Sequence, residues 1–164
     1  MAVESIFYSV AGLSCRGALI WDEGVKQQRP LLLMAPNWRG VIKPAIEAGS
    51  WVVCDRFFDA TVAYQGAGKG VPLELLELLS KAVNPGFEPD CTIVFDCSHE
   101  VARRRLDASG KTLDRFERED RAFFERVREA YLARAKAEPR RIRVIDAATD
   151  VAQIRKQLEK ALVL

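Results

Sequence analysis

Residues 51–70 read WVVCDRFFDATVAYQGAGKG and place a charged pair directly after a short apolar run. The run Trp51–Cys54 is continuously apolar, which is typical of a strand buried on both faces of a parallel sheet. Asp55 and Arg56 follow at the point where such a strand ends. Ligands of open α/β sheets bind outside the carboxyl ends of the strands. The stretch therefore predicts a parallel α/β sheet with polar groups at its ligand-binding edge.

Two later runs repeat this order of strand and acid. Thr92–Phe95 is followed by Asp96, and Ile142–Ile145 is followed by Asp146. Ser5–Val10 is a further candidate strand. Helical patterns fill the intervals, and they cover Val41–Ala48, Pro72–Ala82, Glu100–Leu106, Glu119–Ala137 and Val151–Leu162. Alternating helices and strands predict a doubly wound α/β layer fold.

Length and charge limit the possible classes of protein. The 164 residues correspond to one domain, 1–164, of ordinary globular composition. A net charge of +2 disfavours a nucleic-acid-binding module. No apolar run approaches the roughly 18 residues that span a bilayer, and no signal peptide is evident, so we expect no membrane association. The four cysteines lack metal-binding or redox spacing, which favours a reduced, cytoplasmic protein.

The residues after Trp51–Cys54 are suited to binding a phosphorylated ligand. Arg56 offers a planar fork of donors to phosphate oxygens, and the Asp55 carboxylate can organise a metal-bound water. Thr61, Tyr64 and Gln65 follow at helical spacing and could offer hydroxyls and an amide to a base or sugar. The alternative is structural: Asp55 pairs with Arg56 at a helix cap, and the remaining side chains pack. Spacing alone leaves both interpretations open.

The same stretch closely resembles bacterial thymidylate kinases, in which a buried strand leads into DR(F/Y), an AYQG-type segment and a glycine-rich basic turn. The resemblance continues through FEPD at Phe87–Asp90, DRFE at Asp114–Glu117 and RVREAY at Arg126–Tyr131. It is best over residues 31–164. It implies a single thymidylate-kinase-like domain with a P-loop-kinase-like, three-layer α/β/α fold. Its sheet would be parallel, and its N-terminal part degenerate or incomplete.

The resemblance also implies an activity, the ATP-dependent phosphorylation of thymidine monophosphate (dTMP) to dTDP, by a cytoplasmic homodimer. Arg56 would grip the acceptor phosphate, and Asp55 would order the phosphate and magnesium waters beside it. Thr61 would face the thymine edge. Tyr64 would pack on the deoxyribose and disfavour a 2′-hydroxyl, with Gln65 in the same pocket wall.

The resemblance extends these expectations to the donor side. Arg105 and Arg115 would supply catalytic positive charge from a lid, although a basic run such as Arg103–Arg105 is also typical of a solvated helix face. Ala147 and Ala148 would lie near the adenine of ATP. Arg39 would stand in for a base-contacting arginine. Mg²⁺ would arrive with ATP, so no metal site built by the protein alone is expected.

The phosphate-binding loop of such kinases, G-x-x-x-x-G-K-[ST], is not present in the 164 residues. Gly12 and Gly17 have the glycine spacing, but Ala18 and Leu19 replace the lysine and the hydroxyl residue. Neither side chain can hold a phosphate or magnesium, so we expect poor phosphate transfer. The alternative function is a catalytically dead remnant that binds a nucleotide or a partner protein.

Overall fold

A computed structural model describes residues 3–8, 17–18, 38–108 and 121–162 of the chain. These residues form a five-stranded sheet in the order β2-β3-β1-β4-β5. The strands are β1 (Val3–Tyr8), β2 (Gly17–Ala18), β3 (Trp51–Asp55), β4 (Cys91–Asp96) and β5 (Ile142–Asp146). The three strands predicted from short apolar runs are confirmed, and each also contains the acid that follows its run.

The helices alternate with these strands as predicted. A π-helical turn, Trp38–Ile42, leads into α1, and a longer π-helical segment, Val62–Gly68, continues α2. The α-helices are α1 (Lys43–Glu47), α2 (Phe58–Thr61), α3 (Leu73–Val83), α4 (His99–Ala108), α5 (Arg121–Ala137) and α6 (Val151–Ala161). Gly49 follows α1 with φ +77°, the left-handed conformation that favours glycine at a helix end.

Strand β1 departs from the expected parallel arrangement. It pairs antiparallel with β3, with Ser5 opposite Asp55, and antiparallel with β4, with Val3 opposite Phe95. The other four strands run in one direction, because β2 is parallel to β3 and β4 is parallel to β5. The apolar pattern of a strand is the same read from either end, so it predicts a strand without fixing its direction.

Strand β4 is covered on both faces, which gives the expected three layers. Val94 on one face packs with residues of α2, α5 and the π-helical segment. Cys91 and Ile93 on the other face pack with Ile145 of β5 and Ile154 of α6. This burial explains why the strand reads as a continuous apolar run rather than an alternating one.

Gly68, the last residue of the π-helical segment, lets that segment approach α5 closely. A Cβ at Gly68 would lie 2.6 Å from Cε2 of Phe123 and 3.1 Å from Cγ2 of Val127. We therefore expect Gly68→Ala to lower the free energy of unfolding by about 1–3 kcal/mol, measured by urea denaturation. Gly40→Ala is the matched control, since a Cβ there meets nothing within 4 Å. Equal stability of the two variants would contradict the close approach.

Helix α3 leaves most of its leucines uncovered. Leu76 is 1% exposed, whereas the others are 37–65% exposed. The exposed members are Leu73, Leu75, Leu78 and Leu79. Within the described ranges, no helix is long and apolar enough to cross a membrane.

Candidate functional site

Arg56 occupies an unusual backbone position at the carboxyl end of β3. Its φ of +70° lies in the left-handed region, and no other non-glycine residue in the described ranges has a positive φ. Its carbonyl oxygen accepts a hydrogen bond from the Cys54 thiol at 3.5 Å. Such a backbone conformation costs about 1–3 kcal/mol and tends to occur at functional sites. The structure thus places Arg56 at the predicted ligand-binding edge, in a conformation that favours a functional role.

The Arg56 guanidinium lies over the ring of Tyr64, with 4.8 Å between Cζ and the ring centroid. Tyr64 is 5% exposed and packs between two further aromatic rings. Its centroid is 6.1 Å from that of Phe123 and 6.4 Å from that of Tyr131. Attraction between a cation and an aromatic face therefore fixes the Arg56 head group relative to the core.

Thr61 and Gln65 lie on the same helical segment as Tyr64. The Thr61 side chain is 1% exposed, and its Oγ1 has no hydrogen-bond partner in the described part of the chain. A buried hydroxyl without a partner costs about 1–3 kcal/mol. Gln65 is half-buried. A thymine base would reach the Thr61 hydroxyl only after neighbouring side chains move, because that atom is closed off from solvent.

The structure says less about the other two residues predicted to contact the phosphate acceptor, Asp55 and Arg39. Asp55 is described through its backbone, which ends β3 opposite Ser5. Arg39 lies exposed on the turn Trp38–Ile42. The base-contacting role of Arg39 therefore stays a prediction.

Arg105 and the loop containing Ala147 and Ala148 are brought together beyond the ends of β4 and β5. The Arg105 guanidinium donates to the carbonyl oxygens of Ala147 at 2.5 Å, Ala148 at 3.5 Å and Thr149 at 3.1 Å. The amide of Ala147 in turn donates to the Asp96 carbonyl at 2.7 Å. In this arrangement Arg105 anchors the loop predicted to meet adenine. Its catalytic role stays a prediction, and Arg115 lies outside the described residues.

Gly17, one of the two glycines with the spacing of a phosphate-binding loop, does not lie at this edge. Gly17 lies in β2 opposite Trp51, at the amino end of β3. Since β3 has five residues, that end is about 13 Å from Asp55. Gly12 lies outside the described residues. The described part of the glycine pair is therefore at the opposite edge of the sheet from Arg56.

Two side chains that were given no catalytic role have structural contacts. Asp96, at the end of β4, accepts from Nε of Arg128 at 2.6 Å and from Nη2 at 2.8 Å. The hydrogen bond to Asp96 raises the pKa of Arg128. His99 begins α4, one residue before the predicted start of that helix, and packs edge to face against Phe124 with 5.2 Å between ring centroids. Asp96 thus ties α5 to the carboxyl edge of the sheet.

The sequence analysis missed a buried carboxylate on α2. Asp59 is 2% exposed. Its Oδ1 accepts from Arg134 Nε at 2.7 Å and Arg141 Nη2 at 2.9 Å, and its Oδ2 accepts from Arg141 Nη1 at 2.7 Å. The Thr92 hydroxyl also donates to Oδ2, at 3.1 Å. An acid inside the otherwise apolar run FFDATVAY was the available signal, because a buried charge requires partners.

The charge state of Asp59 follows from these contacts. Burial by itself raises the pKa of the Asp59 carboxyl, but hydrogen bonds and positive charge from Arg141 and Arg134 outweigh it. The net pKa of Asp59 therefore lies below its ordinary value, and the group is an anion at neutral pH. Glu138 also accepts from both arginines, from Arg134 at 3.2 Å and from Arg141 at 2.7 Å.

The described residues thus form a mixed α/β/α sandwich in which Arg56, at the carboxyl end of β3, contacts Tyr64. The thymidylate kinase family model matches residues 12–158. The chain belongs to the thymidylate kinase family. Strand β1 precedes the matched range.

Individual relatives agree with this assignment. Thymidylate kinase of Cupriavidus necator is 52% identical over 122 residues, which are 74% of this chain and 60% of that protein. Thymidylate kinase of Bordetella petrii is 44% identical over 154 residues, or 92% of this chain and 74% of that protein. The crystal structure of thymidylate kinase from Ehrlichia chaffeensis matches with a TM-score of 0.61 and 27% identity, over 82% of this chain and 61% of that one. The chain thus spans about 60% of the length of several relatives.

Proposed function

We propose that this chain binds dTMP, the phosphate acceptor of thymidylate kinases, along the segment Arg56–Gln65. The observation that carries the proposal is the left-handed Arg56 at the end of β3, with its guanidinium held over Tyr64. A fixed arginine fork at this edge can donate to phosphate oxygens, and the half-buried Gln65 offers an amide to a nucleoside on the adjoining helical segment. The Thr61 hydroxyl would join this pocket once neighbouring side chains move. Family membership makes dTMP the ligand of choice.

The complete reaction would be phosphate transfer from ATP to dTMP, with magnesium carried by ATP. No group of three or more side chains able to hold a metal occurs among the described residues. We propose that magnesium is bound mainly by the nucleotide phosphates, as Mg²⁺ commonly is in kinases. Asp55 would order a water of its shell, and the loop Ala147–Ala148 would border adenine. Bound magnesium would neutralise charge on the migrating phosphoryl group.

The second candidate function is dTMP binding without transfer, or binding of a partner protein. It is favoured by the position of Gly17 in β2, at the opposite edge from Arg56. It is also favoured by Ala18 and Leu19, which replace the lysine and hydroxyl of a phosphate-binding loop. We accordingly propose that acceptor binding is retained while transfer is slow.

We also propose that the chain forms a homodimer in the cytoplasm. The exposed leucines of α3 give it an apolar helix face that a second copy could cover. Sedimentation equilibrium would measure the mass in solution. A monomer at high micromolar concentration would contradict the dimer.

Arg56→Ala is expected to weaken dTMP binding about 10- to 150-fold. The variant loses a charge-assisted hydrogen bond to phosphate, worth about 1.5–3 kcal/mol. Calorimetric titration with dTMP measures the effect. Arg155→Ala is the control, because that arginine is exposed on α6 and pairs with Glu159 in the following turn. If Arg56→Ala binds dTMP as tightly as the wild type does, Arg56 does not hold the phosphate.

Tyr64 is expected to set the preference for deoxyribose. The wild type should bind dTMP more tightly than ribothymidine monophosphate, because the ring crowds a 2′-hydroxyl. Tyr64→Ala should reduce that preference about tenfold, whereas Tyr64→Phe, which keeps the ring, should preserve it. Competition titrations with the two nucleotides provide the ratio. A preference that survives Tyr64→Ala would assign discrimination to another residue.

A further inference from the structure

We propose that Asp59 is a positioning residue for the acceptor segment Arg56–Gln65, acting through its bonds to α5, β4 and the start of β5. The inference rests on the proposed function, because it explains how that segment is held in a binding geometry. Asp59 lies three residues after Arg56 and two before Thr61. It therefore sits between the predicted phosphate contact and the predicted base contact.

Helix α2 cannot hold its own orientation. Together with the π-helical segment Val62–Gly68 it forms only eleven residues of continuous helix, and its N-cap residue, Phe57, makes no side-chain capping hydrogen bond. Isolated helices of this length are unstable in water, since one turn fixes several dihedral angles for few hydrogen bonds. The chain also enters α2 through the strained backbone of Arg56. Such strain persists only where surrounding contacts over-determine the conformation. The orientation of α2 must consequently come from tertiary contacts.

The Asp59 carboxylate supplies directional contacts of this kind. Arg141, just before β5, binds both of its oxygens, while Arg134 reaches Oδ1 from α5 and Thr92 reaches Oδ2 from β4. Arg134 Cζ also lies 6.0 Å from the ring centroid of Phe58, the neighbour of Asp59 on α2. Hydrogen bonds from three separate elements reach the two carboxylate oxygens of Asp59. Together they restrict both rotation and translation of α2.

Stability alone does not account for a buried charge at this position. Replacing a buried ion pair by apolar side chains of similar volume is often neutral or stabilising. Apolar packing, however, lets a short helix slide or rotate. The two parallel hydrogen bonds between an arginine and a carboxylate form in only one relative orientation of the two groups. The arrangement around Asp59 thus suits a segment whose functional groups must be held to within about 0.5 Å.

The test uses variants of Arg134 rather than of Asp59, so that the carboxylate keeps its pair with Arg141. Arg134→Met retains side-chain length and removes the second cation, and Arg134→Lys retains the charge without the fork. Leu158→Ala is the control, since this α6 residue packs on the opposite face of the sheet. Each protein is titrated calorimetrically with dTMP, and amide hydrogen exchange is measured over residues 57–66.

For Arg134→Met we expect dTMP affinity to fall roughly fivefold or more. We also expect faster exchange of the amides at 57–66 than elsewhere in the chain. Arg134→Lys should show the same two changes to a smaller extent, and it provides the test if Arg134→Met does not fold. Leu158→Ala should lower the melting temperature while leaving dTMP affinity and amide exchange at 57–66 at wild-type values. If Arg134 contributed only to overall stability, its variants would behave like Leu158→Ala.

Unchanged affinity and unchanged exchange at 57–66 in the folded Arg134 variants would overturn the positioning role. Equal loss of dTMP affinity in Leu158→Ala would also overturn it, because general destabilisation would then explain the effect. Failure of the wild type to bind dTMP would instead overturn the proposed function. In that event, the exchange rates at 57–66 would still decide whether Arg134 and Asp59 hold the segment.

Discussion

Turnover slower than about 1 per second is expected in a coupled ADP-release assay with saturating ATP, magnesium and dTMP, which is below the usual range of kinases. The glycine pair Gly12 and Gly17 is followed by Ala18 and Leu19, and not by the lysine and hydroxyl residue with which a phosphate-binding loop holds phosphates and magnesium. Loss of one preorganised electrostatic group typically costs on the order of 3 kcal/mol, or about a hundredfold or more in rate. Two such groups are missing here, and their losses need not add.

The assay needs controls for both the method and the folded state. Cupriavidus necator thymidylate kinase, a relative with 52% identity over the matched region, serves as the positive control. A parallel calorimetric titration with dTMP establishes that the chain is folded and binds its acceptor. Turnover at kinase-like rates would show that arginines such as Arg16, Arg105 or Arg115 compensate for the absent lysine.

The second large effect concerns stability. Asp59→Ala is expected to lower the free energy of unfolding by about 3–5 kcal/mol, because it leaves the partly buried Arg134 and Arg141 without their shared, fully buried anion. Glu138 still pairs with both, which favours the lower end of this range. Urea denaturation followed by circular dichroism measures the change.

Asp107→Ala is the matched control for this prediction. Its carboxylate pairs with Arg103 at 3.1 Å on the surface of α4, where both side chains are about half exposed. An exposed ion pair of this kind contributes about 0–1 kcal/mol. Similar losses in the two variants would show that the buried carboxylate has no special role in stability.

The same carboxylate predicts a pH dependence. The folded-state pKa of Asp59 is lowered, so the unfolded chain takes up a proton first, near pH 4. The stabilisation is fully present above that pH and is lost as the pH falls through the lower folded-state pKa. The stability difference between the wild type and Asp59→Asn should therefore narrow below about pH 4. If the stability difference between the two proteins stayed constant down to the pH of acid unfolding, the lowered pKa of Asp59 would be contradicted.

Sequence patterns predicted those strands and helices that depend mainly on residues close together in the chain. Short apolar runs identified β3, β4 and β5, and the run of β4 is continuous because that strand is covered on both faces. Helical spacing and punctuation by proline and glycine identified α3 and α6 to within a residue or two. The direction of β1 was not predictable from its own residues, because the pairing that fixes it involves β3 and β4.

In the candidate site, too, residues that are close in sequence were predicted together, and contacts between distant residues were not predicted. Arg56 and Tyr64 were predicted from one continuous stretch and from the resemblance, and the structure brings them into contact. Asp59 lies in that stretch but was missed, because its partners Arg134 and Arg141 are 75 and 82 residues away in the chain. Nothing in helical or strand periodicity links positions so far apart. Long-range ion pairs therefore mark the limit of what this sequence alone predicts.

The reversed direction of β1 has a practical consequence for fusion proteins. Its first residue, Val3, lies opposite Phe95, so the chain enters the middle of the sheet from the edge that carries Arg56 and Asp96. A segment fused directly ahead of β1 would leave the sheet at that edge and would compete with added nucleotide for space there. A tag that follows α6, whose apolar side packs against β4 and β5, would be tethered to an outer layer of the fold. Binding measurements are accordingly best made with a tag placed after α6 rather than ahead of β1.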